Sequence, residues 1–139
     1  MSICTTMNVQ IGPDELNASR MRSFSAADYD GLAFGVIELD SDFCVRTYNS
    51  SESKLARRDP GQTIGRNFFR EVAPCTDVGD FRGRIAELMA EGVPVDTEAR
   101  FDYNFAFAWG SRRVRIRALR GVDSCWVFVT PLQSFDVDR

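Results

Sequence analysis

From Ser124 to Thr130 the chain reads Ser-Cys-Trp-Val-Phe-Val-Thr, dense in β-branched and aromatic residues. This run predicts a central β-strand, which Pro131 stops. Two more strands precede it. Arg112–Leu119 alternates arginine with apolar residues, the period of a strand with one half-exposed face, and Val95–Phe105 alternates in its second half. Nearer the N-terminus, Leu32–Leu39 and Phe43–Tyr48 flank the turn Asp40-Ser41-Asp42 and read as a β-hairpin.

Helical patterns fill the spaces between strands. Asn49 is placed as an N-cap, with Glu52 three residues on where a capping box would have it, and Asp59-Pro60-Gly61 breaks the helix they open. Ile64–Glu71 offers a further short helical piece. Phe81, Ile85, Leu88 and Met89 recur at helical spacing within Gly79–Ala90, before Gly92 and Pro94. Pro13-Asp14-Glu15-Leu16 predicts a short N-terminal helix, and Ser19–Ala27 holds a second. Leu16, Met21, Phe24 and Tyr29 give this segment apolar anchors, though few strong ones. The order β-β, short helices, β-β-β predicts an α+β domain: a central antiparallel five-stranded sheet with short helices packed on one face. Its expected parts are an N-terminal helical cap at 1–28, a core at 29–131 and a short tail at 132–139.

A length of 139 residues with 44% hydrophobic content suits one domain with a core of its own. The net charge of −3 argues against a nucleic-acid partner, so the alternating arginines read as a solvated strand face rather than a phosphate-binding patch. There is no run of 18 apolar residues, and Met1–Gln10 lacks the basic and apolar regions of a signal peptide. A cytoplasmic location away from membranes is the expectation. Cys4, Cys44, Cys75 and Cys125 form no C-x-x-C pair and are expected as free thiols.

The chain contains no histidine. That removes Cys-His and Ser-His dyads and most zinc or non-haem iron sites, so no metal is expected. Yet Cys75 stands in Val72-Ala73-Pro74-Cys75-Thr76-Asp77, directly after a proline and downstream of Asn67-Phe68-Phe69. By itself a free cysteine is most often a small buried hydrophobe.

Seven segments in order change that reading: DGLAFG (30–35), YNSSE (48–52), RDP (58–60), IGRNFF (64–69), VAPCTD (72–77), FDY (101–103) and WVFV (126–129). Together they resemble the photoactive yellow protein family, blue-light receptors built on a PAS domain. The resemblance implies that Cys75 carries p-coumaric acid (4-hydroxycinnamic acid) as a thioester. It implies that Tyr48 and Glu52 hydrogen-bond the buried phenolate of this chromophore, that Arg58 covers its ring, and that the Cys75 backbone N–H holds its carbonyl. Phe68, Val72, Ala73, Pro74, Phe101, Tyr103 and Phe105 are the expected remainder of the pocket.

The chemistry suits those residue types. Burial disfavours a phenolate, and short hydrogen bonds to the charged oxygen offset this. Tyrosine is a donor at neutral pH, whereas glutamate donates only when protonated. Keeping Glu52 protonated at pH 7 requires a shift of roughly three units, about 4 kcal/mol. The implied mechanism is a photocycle rather than enzymatic turnover. Light isomerises the chromophore from trans to cis, Glu52 gives the phenolate its proton, and the buried carboxylate left behind drives partial unfolding that reverts thermally. The downstream partner is a signalling protein the sequence does not identify, met by this chain as a monomer or weak dimer.

Three features depart from the family pattern. Ala56 stands where a hydroxyl residue supports Tyr48, which implies a looser network there. Asn104–Ser111 reads as a longer loop. Phe105 replaces a methionine that helps the chromophore return to trans, which implies slower dark recovery. The alternative to a photoreceptor is a PAS interaction module without chromophore.

Overall fold

The computed structural model describes residues 11–132 apart from residue 108; Cys4 and most of the expected tail lie outside that range. Five strands form one antiparallel sheet in the order β2-β1-β5-β4-β3: β1 Gly35–Asp40, β2 Val45–Tyr48, β3 Glu98–Phe107, β4 Gly110–Arg120 and β5 Ser124–Pro131. β5 is central, as its apolar run predicts. The helices are α1 Ala18–Arg22, α2 Ala26–Asp30, α3 Ser50–Ala56 and α4 Arg84–Leu88, so α2 runs across the expected boundary between cap and core. No helix among the described residues is long and apolar enough to cross a membrane.

Helices cover both faces of the sheet, not one. On one face Ile37, Leu39, Val114, Ile116, Val127 and Val129 pack with Tyr48, Phe68, Phe69, Phe81 and Ile85. On the other, Val36, Leu119, Trp126 and Phe128 pack with Leu16, Met21, Leu32 and Phe34 from the N-terminal segment. Double coverage explains the unbroken apolar run of β5: successive residues alternate between two cores, and neither face meets water.

Leu32 and Phe34 belong to the second core and not to β1. The Ser51 hydroxyl donates to the Leu32 carbonyl at 2.6 Å, and the Asn49 amide donates to the Phe34 carbonyl at 3.0 Å. Side chains use the backbone groups that a longer strand would have paired. The stretch 79–90 also differs from one continuous helix. It begins as a π turn, Gly79–Gly83, and becomes α-helical only at Arg84–Leu88, with Phe81, Ile85 and Leu88 buried. Of Ile64–Glu71, only the part from Phe68 onward is helical, as a π turn to Val72. Ile64 and Asn67 instead bridge to Val45 and Cys44.

Asn104–Ser111 is not a loop. The β3–β4 ladder continues through Asn104↔Arg113 to Phe107↔Gly110, so the added residues lengthen a hairpin. The alternating arginines of β4 have specific partners. Arg115 pairs with Asp102 at 2.9 Å. Arg117 pairs with Glu98 at 2.7 Å and donates from Nη1 to the Pro13 and Leu16 carbonyls at 2.9 and 2.7 Å. With Ala18 N–H bonded to Asp96 at 2.8 Å and Arg100 paired with Asp14, the cap holds more polar anchors than its sequence announces.

Candidate functional site

Asn49 caps α3 as its sequence position predicts, accepting from the Glu52 N–H at 3.0 Å. The reciprocal half of a capping box does not form. The Glu52 side chain turns inward, is 2% exposed, and its buried Oε1 has no partner among the described residues. Burial pushes its pKa up to about 8, so the carboxyl is protonated at neutral pH. Gly35 makes room for it: a Cβ there would lie 3.2 Å from the Glu52 Cβ and would overlap the carboxyl oxygen. Tyr48 ends β2 one turn earlier and is also buried. Its pKa is raised, chiefly by burial and then by Glu52, with Arg58 opposing.

Tyr48, Ala56, Phe68, Val72 and Phe105 share one buried cluster, and Ala73, Cys75, Phe101 and Tyr103 pack against it. Pro74 differs: it is exposed, and it starts the 3-10 turn Pro74–Thr76 that carries Cys75. That turn is stitched by Thr76, whose hydroxyl donates to the Ala73 carbonyl at 2.7 Å. Cys75 is half-buried. The Tyr103 hydroxyl donates to its carbonyl at 2.5 Å, and its Sγ accepts from the Ala106 N–H at 3.4 Å. Early N–H groups of such a turn have no partner within it, which leaves Cys75 N–H suited to a ligand oxygen.

Arg58 reaches across to the same segment, donating from Nη1 to the Val72 carbonyl at 3.3 Å, while its Nε is buried without a partner. Among the described residues it makes no ion pair with Asp59 or Glu52; the Asp59 side chain caps the Pro60–Gln62 turn instead. Ala56, buried beside Tyr48 in the cluster, offers only a methyl group. Phe105 is buried and in ring contact with Phe81, Tyr103 and Phe107.

Two residues at this site escape sequence reasoning. The space Gly35 leaves for Glu52 depends on a contact between β1 and α3. Arg57, the C-cap of α3, adopts φ 58° and ψ 47°, and its guanidinium lies 4.2 Å from the centre of the Trp109 ring. Neither has a local signal, because each depends on a partner distant in the chain. Among the described residues, no group of three or more His, Cys, Asp or Glu is placed to hold a metal. A buried neutral carboxyl, a buried phenol and a half-buried thiol around one aromatic-walled cluster can hold an aromatic ligand tethered at one end and hydrogen-bonded at the other.

Residues 29–130 match the PAS fold family. The chain is 37% identical over 123 residues to the photoactive yellow protein of Rhodothalassium salexigens, covering 87% of this chain and 95% of that one. It is 36% identical over 126 residues to the photoactive yellow protein of Halochromatium salexigens, covering 89% and 98%. The crystal structure of the photoactive yellow protein domain from the sensor histidine kinase Ppr of Rhodospirillum centenum matches with a TM-score of 0.74 at 38% identity, over 81% of this chain and 97% of that one. With a PAS sheet and this level of identity across most of its length, the chain belongs to the photoactive yellow protein family.

Proposed function

We propose that this photoreceptor carries p-coumaric acid as a thioester on Cys75 and uses Glu52 as the proton donor of its photocycle. The supporting observation is the state of Glu52: buried, neutral at pH 7, with an oxygen that lacks a partner among the described residues, and close enough to Tyr48 to raise its pKa. A chromophore phenolate gives that carboxyl an acceptor, and the hydrogen bond compensates both groups for the water they have lost. Tyr48 supplies the second donor. Phe68, Val72, Phe101, Tyr103 and Phe105 wall the ring, Arg58 covers it beside the Val72 carbonyl, and the Cys75 N–H holds the thioester carbonyl.

On this reading the thiol reacts once, at attachment, and the protein acts as a switch rather than an enzyme. Photoisomerisation breaks the hydrogen bond at the thioester carbonyl, and Glu52, still bonded to the phenolate, transfers its proton to it. The carboxylate that remains sits where its charge is poorly tolerated, which loosens the surrounding structure. The output is a light-dependent surface offered to a signalling protein. One relative's photoactive yellow protein domain belongs to a sensor histidine kinase, so histidine-kinase signalling is the first partner class to test.

Mixing apoprotein with activated p-coumaric acid is expected to give a yellow product that bleaches in blue light and recovers in the dark. Cys75→Ala is expected to stay colourless. Wild-type protein that takes up no chromophore sinks the photoreceptor mechanism and leaves the PAS interaction module in its place.

A further inference from the structure

The β3–β4 hairpin outruns its sheet. Among the described residues, β5 pairs with β4 only from Val114↔Pro131 onward, with one more bond from Leu132 N–H to the Arg113 carbonyl at 3.1 Å. Among the described residues, the two strands beyond Arg113 pair only with each other, and a two-stranded ribbon is marginally stable by itself. On one side its edge donates the Ala106 N–H to the Cys75 sulfur at 3.4 Å, and sulfur is a weak acceptor. A stronger attachment has to lie elsewhere.

Aromatic rings supply it. Phe105 meets Phe107 at 5.4 Å between ring centres, and Phe107 stacks on Trp109 at 5.1 Å with an interplanar angle of 11°. The Arg57 guanidinium closes the series, 4.2 Å from the centre of the Trp109 ring. The buried Trp109 Nε1 has no acceptor among the described residues, where stacking sets the ring's place. Arg57 holds the left-handed conformation at the end of α3, a position that favours glycine. The turn itself has no need of arginine there. The side chain is otherwise exposed, and the contact it makes is with the hairpin.

We propose that Arg57 and Trp109 form a clasp that pins the hairpin against Cys75, and that the strength of this clasp sets how readily the Cys75 sulfur is reached and how fast the chromophore recovers. The clasp joins the end of α3, whose first turn carries Glu52, to the ribbon that bonds Cys75. Opening it releases Ala106 from the sulfur and Phe105 from the pocket wall. Arg57 and Trp109 are positioning residues: they act through Ala106 and Phe105, not on the chromophore itself. The effect on recovery rests on the chromophore being attached at Cys75; the effect on thiol access does not.

The test uses Arg57→Gly, Trp109→Ala and the double variant. Glycine suits the left-handed site, so Arg57→Gly retains the turn. Iodoacetamide labelling of Cys75 in the apoprotein, read by mass spectrometry to separate it from the other cysteines, is expected to speed up about two- to five-fold in either single variant, the factor an exposed cation–π contact contributes. The double variant is expected to match Trp109→Ala, which loses the Phe107 stack as well, because the Arg57 contact is with that same ring. In chromophore-loaded protein the same variants shift dark recovery by a similar factor. Unchanged labelling in Arg57→Gly, or effects that multiply in the double variant, overturns the clasp. If no variant takes up chromophore, the photoreceptor mechanism fails while the labelling result still decides the clasp.

Discussion

Glu52 makes the apoprotein's stability depend on pH in an unusual direction. A carboxyl whose pKa rises from 4.5 unfolded to about 8 folded binds more protons in the native state across that interval. Stability from this group is therefore full below about pH 4.5 and falls as pH rises towards 8, by at most about 1.4 kcal/mol per pH unit. Glu98 and Asp102 act oppositely. Their pKa values are lowered, chiefly by hydrogen bonds from Arg100 and Arg117 and from Arg115, so their contribution is lost only in acid. Urea denaturation of the apoprotein between pH 5 and pH 8 is expected to show a decline that Glu52→Gln abolishes; equal slopes in the two proteins would place the wild-type carboxyl in contact with water. Gly35 belongs to the same argument. Gly35→Ala sets a methyl group against the Glu52 carboxyl, and overpacking of this kind costs about 1–3 kcal/mol. The expected result is a destabilised apoprotein with a shallower pH slope, because the displaced carboxyl becomes easier to ionise.

At the scale of elements, the cap separates what sequence pattern reveals from what it hides. Its helix α1, the N-cap at Asn49 and the central place of β5 follow from local signals, whereas α2, which Ser25 caps inside the expected Ser19–Ala27 helix, does not. The seating of the cap does not, because Arg117 reads as an ordinary solvated position of an alternating strand. Its Nη1 nevertheless joins the Pro13 and Leu16 carbonyls, which stand more than a hundred positions away in the chain. The long hairpin is different: Phe105, Phe107 and Trp109 do recur at the two-residue period of a strand, but apolar Ala106 and Ala108 stand between them, so no polar–apolar alternation announces it. The residues proposed to hold the chromophore are recognisable only through the seven ordered segments of the family, as no spacing rule joins Tyr48 and Glu52 to Cys75. Arg117→Ala is expected to cost about 2–3 kcal/mol, since it removes charged donors from two backbone carbonyls. It should raise amide exchange in 13–22 before the rest of the chain. Arg115→Ala, which loses only an exposed pair with Asp102, should leave stability and exchange near wild type.

The molecule as a whole is two cores sharing one sheet, and Asn49 ties them together. Its Oδ1 accepts from the Val36 N–H at 2.8 Å and the Glu52 N–H at 3.0 Å, and its Nδ2 donates to the Tyr29 and Phe34 carbonyls at 2.9 and 3.0 Å. One buried amide thus joins α2, the entry to β1 and the turn of α3 that holds Glu52. Strain at Glu52 thus has a direct route to the cap side through a side chain with all four of its bonds in use, beside the Ser51–Leu32 bond. Asn49→Ala strands buried donors and acceptors on both sides of the sheet at once. A loss of about 2–5 kcal/mol is expected, reflecting several uncompensated groups. Its distribution is the sharper test. Hydrogen exchange should rise first at 26–36 and 50–53, while 84–88 and 125–129 keep their protection relative to global unfolding. Uniform loss across all four segments would mean that Asn49 stabilises the fold without linking its halves. Selective loss would locate the path by which a charge formed at Glu52 loosens the cap.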